Sequence, residues 1–380
     1  MVEWVGLFKE LVNRNIATVF LRVLLYMYSN QSCKVSWNGK YSDKFSVTAG
    51  VRQGMPSSGL LFNCVADFLI ARLRKHDVGL TLFGRFLGVW IYCDDIVILS
   101  SSRNGLQSMV TTCEMFAKEN NMKFSSNVNV AKSKTKCLIF SKKKQEEMNV
   151  DRVILNNNEL PWVEQIKHVG NMLQCDNSFR ADCLIKRGQF IGKIHSLQQE
   201  FPTLASHVKM KLIDIYTLSF YGSPLWNLFG PEVAKINKSY NVATRIAFNV
   251  NRATRSFLIE QMTGCFHPHT LLCSRYIKFH LTNKSCQKPS IRMLATVFEN
   301  DQRTRYGQNL RNIANACQTN ISQLTPLEVN NKVRYCELPE DEHWRIPILT
   351  EMLAARDNNT EIDGLSQKDI RAIINYVCTV

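Results

Sequence analysis

Apolar residues recur at helical spacing from the start of the chain: Leu7, Leu11, Val19, Val23 and Tyr26 predict one helix over residues 4–28. Cys33 to Trp37 and Phe45 to Thr48 read as strands around Asn38-Gly39, a dipeptide that favours a tight hairpin. A loop follows, Gly50-Val51-Arg52-Gln53-Gly54-Met55-Pro56-Ser57-Ser58-Gly59. Its glycines let backbone approach a ligand, and Ser57 or Ser58 is placed to cap a helix. Leu61, Val65, Phe68, Leu69 and Arg72 carry that helix to about Lys75. Two β-branched apolar runs within 86–100 then flank Tyr92-Cys93-Asp94-Asp95, predicting a hairpin with two carboxylates at its tip. Leu106, Met109, Val110, Cys113, Phe116 and Ala117 mark another amphipathic helix, and Cys137 to Phe140 a further strand. This order is α+β. From about Asn177 strand signals fade. Helical patterns follow near 178–200, 205–221, 231–249, 268–284, 289–299, 343–356 and 366–378, with Pro202, Pro224, Pro231, Pro268 and Pro289 at the breaks.

Charge adds a partner class. The net charge is +15, and the excess of bases lies wholly in the first 300 residues; residues 301–380 hold eleven acidic side chains against nine basic. The larger part is suited to a polyanion. Thirteen cysteines form no CxxC pair and their number is odd, which points to reduced thiols in an intracellular protein, nucleus or cytoplasm alike. The longest apolar run, Ile16 to Tyr28, is short for a membrane span and contains Arg22, so no membrane partner is expected.

The candidate chemistry starts at Asp94-Asp95. Two adjacent carboxylates in an apolar hairpin repel each other and resist desolvation, and Mg²⁺, with its preference for hard oxygen ligands, would offset both effects. The competing reading is an ordinary turn, where Asp is common. Arg52 and Gln53, in a loop that opens a helix, suit a phosphate or nucleotide contact, or merely a strand-to-helix turn. Arg180, Lys186, Arg187 and Lys193 recur at near seven-residue spacing, as a phosphate-following edge or a solvated face. Lys142-Lys143-Lys144 reads as a solvated charge run. Arg245, Arg252, Arg255, Arg275 and Lys278 interleave with Phe248, Phe257, Tyr276 and Phe279, compatible with strand binding or with core aromatics. Cys265, His267, His269 and Cys273 offer soft ligands, but their spacing matches no common zinc module.

Four boxes in order resemble those of reverse transcriptases. Tyr92-Cys93-Asp94-Asp95 resembles the YxDD box, and Gly50-Val51-Arg52-Gln53-Gly54 through Leu60-Leu61-Phe62-Asn63 the GVRQGxxxSPxLFN box. Lys132-Ser133-Lys134-Thr135-Lys136-Cys137-Leu138-Ile139-Phe140 resembles the KT-containing box, and His168-Val169-Gly170-Asn171-Met172-Leu173 the primer-grip box. Tyr216 to Phe229, His267-Pro268 and Trp344-Arg345-Ile346-Pro347-Ile348-Leu349 are similar to the region after the polymerase in LINE-type, non-LTR retrotransposons of the jockey-like group. The resemblance implies a palm over residues 1–175, in which 30–175 form an antiparallel sheet with two helices on one face. A helical thumb over 176–300 and a helical extension over 301–380 would follow. It implies an RNA-directed DNA polymerase acting by two-metal nucleotidyl transfer. Mg²⁺ would be the cofactor, held by Asp94 with Asp95 in support. Gln53, Gly54, Arg52 and Lys134 would lie about the incoming nucleotide, and Val169 and Gly170 in the primer grip. The implied partners are an RNA template, a DNA primer and deoxynucleoside triphosphates.

Three departures stand out. The family has Ser-Pro where this chain has Ser58-Gly59, and Ala where it has Cys93. The family's first catalytic Asp, in an Ala-Phe-Asp box, aligns before Met1, and so do the fingers and the endonuclease. The expectation is therefore a C-terminal palm and thumb portion, inactive as it stands. Two other readings are a non-catalytic nucleic-acid-binding remnant and an interaction protein acting through the acidic residues 301–380.

Overall fold

The first helix predicted from periodicity is two. This computed structural model describes residues 3–379 apart from 53, 77, 128, 130, 131, 142–150, 264, 334–342, 344, 361, 363 and 364. Helix α1 (Trp4–Asn13) ends where Asn15 turns left-handed at φ 55°. The Ile16 N–H then reaches back to the Leu11 carbonyl at 3.2 Å and the Asn15 N–H to Val12 at 2.9 Å. Those two bonds are a Schellman stop, and Asn is one of the few residues that tolerates its left-handed position. Helix α2 (Thr18–Ser29) restarts with a new phase. Leu7 and Leu11 are core as predicted, but Val19, Val23 and Tyr26 face solvent, while Leu24 and Tyr28 are buried.

Strands β1 (Ser32–Cys33) and β4 (Phe45–Ser46) pair antiparallel, and β2 (Ser36–Trp37) pairs with β3 (Lys40–Tyr41) inside them. Asn38 and Gly39 both sit at positive φ, which a type I′ turn requires. Helix α3 (Ser58–Lys75) buries Leu61, Val65, Leu69 and Leu73. Strands β5 (Thr81–Leu82) and β6 (Arg85–Phe86) form one hairpin, β7 (Val89–Tyr92) and β8 (Asp95–Ile98) the next. Helix α4 (Arg103–Glu119) is capped by Ser102, whose hydroxyl accepts from the Gly105 N–H at 3.1 Å. Leu7, Leu24, Tyr28, Leu69 and Met109 join α1 to α4 in one core, with Val89, Ile96 and Ile98 of the hairpin against it. A smaller core of Val110, Cys137, Val153, Leu155 and Leu160 backs β9 (Ile154–Leu155) and β10 (Asn158–Glu159). Strands β11 (Gln165–His168) and β12 (Asn171–Gln174) pair with each other.

The single sheet expected over 30–175 is absent among the described residues, where six separate two-stranded pairs stand instead. The strands are only two to four residues long. Residues 137–140 make one bridge, Cys137 to Trp162, not a strand. Its neighbour Pro161 accepts from Cys137 but has no N–H to extend a ladder.

The chain divides into two units, residues 1–169 and 170–380. The second carries β12 and then helices only: α5 (Arg180–Glu200), α6 (Ser206–Thr217), α7 (Pro231–Ala247), α8 (Ser256–Thr263), α9 (Pro268–Lys284), α10 (Pro289–Asn300), α11 (Arg305–Ala316), α12 (Pro326–Lys332), α13 (Arg345–Asn358) and α14 (Gln367–Thr379). Proline opens α7, α9, α10 and α12, where its missing N–H would have no partner anyway. One hydrophobic core runs from Phe179 to Val377. Within it, Leu310, Ile313, Val329, Leu353 and Ile374 pack into the same core as Phe190, Trp226 and Tyr276.

Candidate functional site

The hairpin tip is built by register. Tyr92 pairs with Asp95, leaving Cys93-Asp94 as a two-residue turn with Cys93 at φ 51°. Asp94 thus lies in the turn and Asp95 opens β8. Both carboxylates are exposed, which corrects the expectation of a buried apolar setting. Alternation puts Ile91 and Ile96 partly inside and leaves the tip in water, so desolvation imposes no demand for a counter-charge. What the tip offers is two adjacent oxygen donors, the hard ligand type that Mg²⁺ takes. Among the described residues, no group of three His, Cys, Asp or Glu side chains is arranged to hold a metal ion.

The start of α3 reaches this turn. A Cβ on Gly59 would stand 3.7 Å from the Cys93 sulfur. The two departures from the reverse-transcriptase boxes are therefore neighbours: a smaller residue at 59 lies near a larger one at 93. The Ser58 hydroxyl donates to the Arg52 carbonyl, which fixes the loop before the helix. Ser57 does not cap α3 through its side chain. Arg52 and Gly54 are exposed, and Gly54 sits at φ 83°. Gln53 and Lys142-Lys143-Lys144 lie outside the described residues, as does Trp344. Lys134 is exposed on an irregular segment tied down by Thr135, whose hydroxyl donates to the Ser125 carbonyl at 2.6 Å.

Val169 and Gly170 turn the chain between β11 and β12, both at positive φ (44° and 75°). A β-branched residue holds that conformation only when its surroundings impose it, at a cost of about 1–3 kcal/mol. The strand beyond the turn is anchored within the helical unit. The Asp182 carboxylate accepts from the Met172 N–H at 2.9 Å, from Trp226 Nε1 at 2.8 Å and from Lys186 Nζ at 3.1 Å. Lys186 also donates to Asn171 Oδ1 at 2.7 Å and to the Tyr221 carbonyl, and its ammonium lies 5.9 Å from the Trp226 ring centre. A Cβ on Gly222 would collide with the Asn171 amide, so only glycine fits there.

This network takes one member, Lys186, out of the basic edge read from spacing. Lys186 is buried and occupied. Arg180 pairs with Glu232 at 3.3 Å, Arg187 Nε donates to Ser239 at 2.8 Å, and Lys193 donates to the Tyr216 carbonyl at 3.1 Å. The aromatics interleaved with bases further on are core in two cases, Phe248 and Tyr276. Arg245 and Arg275 spend their guanidinium groups on carbonyls of Thr254, Leu218 and Ser219. Sequence reasoning missed Asp182 and Trp226. The i, i+4 spacing of Asp182 and Lys186 on one helix was the available signal.

The soft-ligand cluster is built as packing. His267 is buried, lies 3.1 Å from Asn241 Oδ1, and burial pushes it down to about 3, with His269 adding to the shift. His269 is also lowered by burial, and Cys273 is raised by it.

The antiparallel hairpin thus presents two adjacent carboxylates near a glycine-bearing loop and helix start. Residues 1–171 match the family described as reverse transcriptase (RNA-dependent DNA polymerase). Over 113 residues the chain is 28% identical to the retrovirus-related Pol polyprotein from type-1 retrotransposable element R2 of Nasonia vitripennis, covering 30% of this chain and 11% of that protein. Over 83 residues it is 30% identical to the retrovirus-related Pol polyprotein from type-2 retrotransposable element R2DM of Drosophila melanogaster, covering 22% and 8%. It is 28% identical over 116 residues to the transposon TX1 uncharacterized 149 kDa protein of Xenopus laevis, covering 30% and 9%. The matched stretches span about a tenth of each relative's length. The resemblance to the reverse transcriptases of LINE-type, non-LTR retrotransposons holds.

Proposed function

We propose that this chain contributes the palm and thumb of an RNA-directed DNA polymerase, with Asp94 and Asp95 as its metal-ligating carboxylates. The observation that carries the reading is the Tyr92-Cys93-Asp94-Asp95 turn, which offers two exposed carboxylates side by side. Bound Mg²⁺ would activate the primer 3′-hydroxyl and neutralise the triphosphate and the leaving pyrophosphate. Asp94 would be the principal ligand and Asp95 its support. Arg52 and Gly54, with Gln53 between them, would line the nucleotide, and Lys134 would hold a proton near its phosphates. Val169 and Gly170 would position the primer. Residues 1–175 would then be palm, and the helices from 176 onward thumb and extension.

Two carboxylates are fewer than a two-metal site uses. The absence of a third metal-ligating group beside them among the described residues favours a second reading, a nucleic-acid-binding protein without catalysis of its own. Both readings require phosphate contacts. We expect binding of an RNA–DNA hybrid whose log affinity falls linearly with log salt. Each Lys or Arg contact to phosphate should contribute about −0.9 to the slope on a duplex. A slope near zero would argue instead for an interaction protein.

A further inference from the structure

Tyr221 gives its carbonyl to the buried network, and its ring lies 5.5 Å from the Lys186 ammonium. The residue is 58% exposed, on a loop held from both sides. Arg275 Nη1 donates to the carbonyls of Leu218 and Ser219, both at 2.7 Å, and Lys186 donates to the Tyr221 carbonyl itself. Phe220 is fixed at φ 35° with its ring in the core, 5.6 Å from Phe190 and 6.1 Å from Trp226. Consecutive side chains thus point in and out, and the outward one is a large aromatic that burial does not explain. These bonds hold the loop backbone in place, which lowers the freedom lost when the ring meets a ligand.

The ring sits against the turn that the resemblance assigns to the primer. A Cβ on Gly170 would stand 3.3 Å from Tyr221 Cε1. Tyr221 also lines a concavity whose wall includes Gln189, Lys193, Thr217 and Ser219 and no carboxylate. The Lys193 ammonium gives one donor to the Tyr216 carbonyl and keeps two for another acceptor. Tyr216 is itself 61% exposed.

We propose that Tyr221, with Lys193 and Gln189, forms a contact site for one strand of a nucleic acid. The phenol ring would take a base or sugar face and Lys193 the adjoining phosphate. An aromatic platform beside a cation is how sequence-independent strand binding is built, because every base has a π-face but each phosphate needs a charge. The site rests on the polymerase reading and names a residue that the four boxes do not contain.

The test is anisotropy of a fluorescein-labelled RNA–DNA hybrid titrated with the full chain across a salt series. Tyr221→Ala should weaken binding about 5- to 150-fold, the range of one lost base stack, and leave the salt slope unchanged. Lys193→Ala should make the slope shallower by about 0.9. Tyr221→Phe keeps the ring over Lys186 and the loop intact, and should bind as the parent does. Binding by the parent with no loss on Tyr221→Ala would overturn the site while sparing the polymerase reading. No binding by the parent would overturn both. Equal loss of affinity for a poly-glutamate peptide on Tyr221→Ala would mark an acidic protein as the occupant and overturn the assignment to nucleic acid.

Discussion

Asp182→Ala should destabilise the helical unit by about 3–5 kcal/mol, the usual cost of breaking a buried ion pair by removing one partner. In a unit of this size that is a fall of about 6–20 °C in Tm. Three donors lose their acceptor together: the Met172 N–H, Trp226 Nε1 and the Lys186 ammonium. The ammonium dominates, because at 8% exposure it cannot turn to water. The double variant Asp182→Ala, Lys186→Met removes that stranded charge and should be more stable than Asp182→Ala alone. The coupling of the two sites should be about 0.5–3 kcal/mol. Thermal melts of the four forms check this. Equal melts for the single Asp182 variant and the parent would mean that the anchor of β12 lies elsewhere.

The second large effect concerns activity. The purified chain of 380 residues should incorporate deoxynucleotides on a primed RNA template at background level. Two-metal transfer holds its ions about 3.5–4 Å apart with bridging carboxylates. Asp94 and Asp95 are the only carboxylates this reading assigns, and no Phe-Asp pair occurs anywhere in the 380 residues. Adding Mn²⁺ or Mg²⁺ to the assay should not change the result. Robust synthesis by these residues alone, lost on Asp94→Ala, would show that some other group supplies the third ligand.

Local patterns that depend on near neighbours were legible in the sequence. Helix α3 begins at Ser58 and ends at Lys75 as its periodicity predicts, and Asn38-Gly39 makes the turn its residues demand. The Cys93-Asp94 turn falls where the apolar runs break. Features decided by tertiary context were not. Periodicity carries through Asn15 because apolar residues continue on both sides, yet one left-handed residue resets the phase and turns Val19 and Tyr26 to solvent. Lys186 sits in a basic series by spacing, but a helix has an inner face too, and an acid four residues away let that lysine be buried there. Helix α11 carries Leu310, Ile313 and Ala314 at helical spacing, but the core position of Asn309, bonded to the Trp226 carbonyl at 2.8 Å and accepting from the Leu228 N–H at 3.2 Å, is set by tertiary context. The paired strands β9 and β10 are too short for alternation to register.

In the proposed polymerase, Asp94 ligates metal for nucleotidyl transfer. The most direct measurement is primer extension on an RNA template by this chain fused to a family Ala-Phe-Asp segment, compared with the same fusion carrying Asp94→Asn. A metal ligand lost from such a site removes several kcal/mol of charge stabilisation, and each 1.36 kcal/mol is a tenfold change in rate. Mg²⁺-dependent extension is expected of the parent fusion, and a rate on the order of a hundredfold lower, or less, of Asp94→Asn. Extension that is unchanged by Asp94→Asn, or none in either fusion, would contradict this role of Asp94.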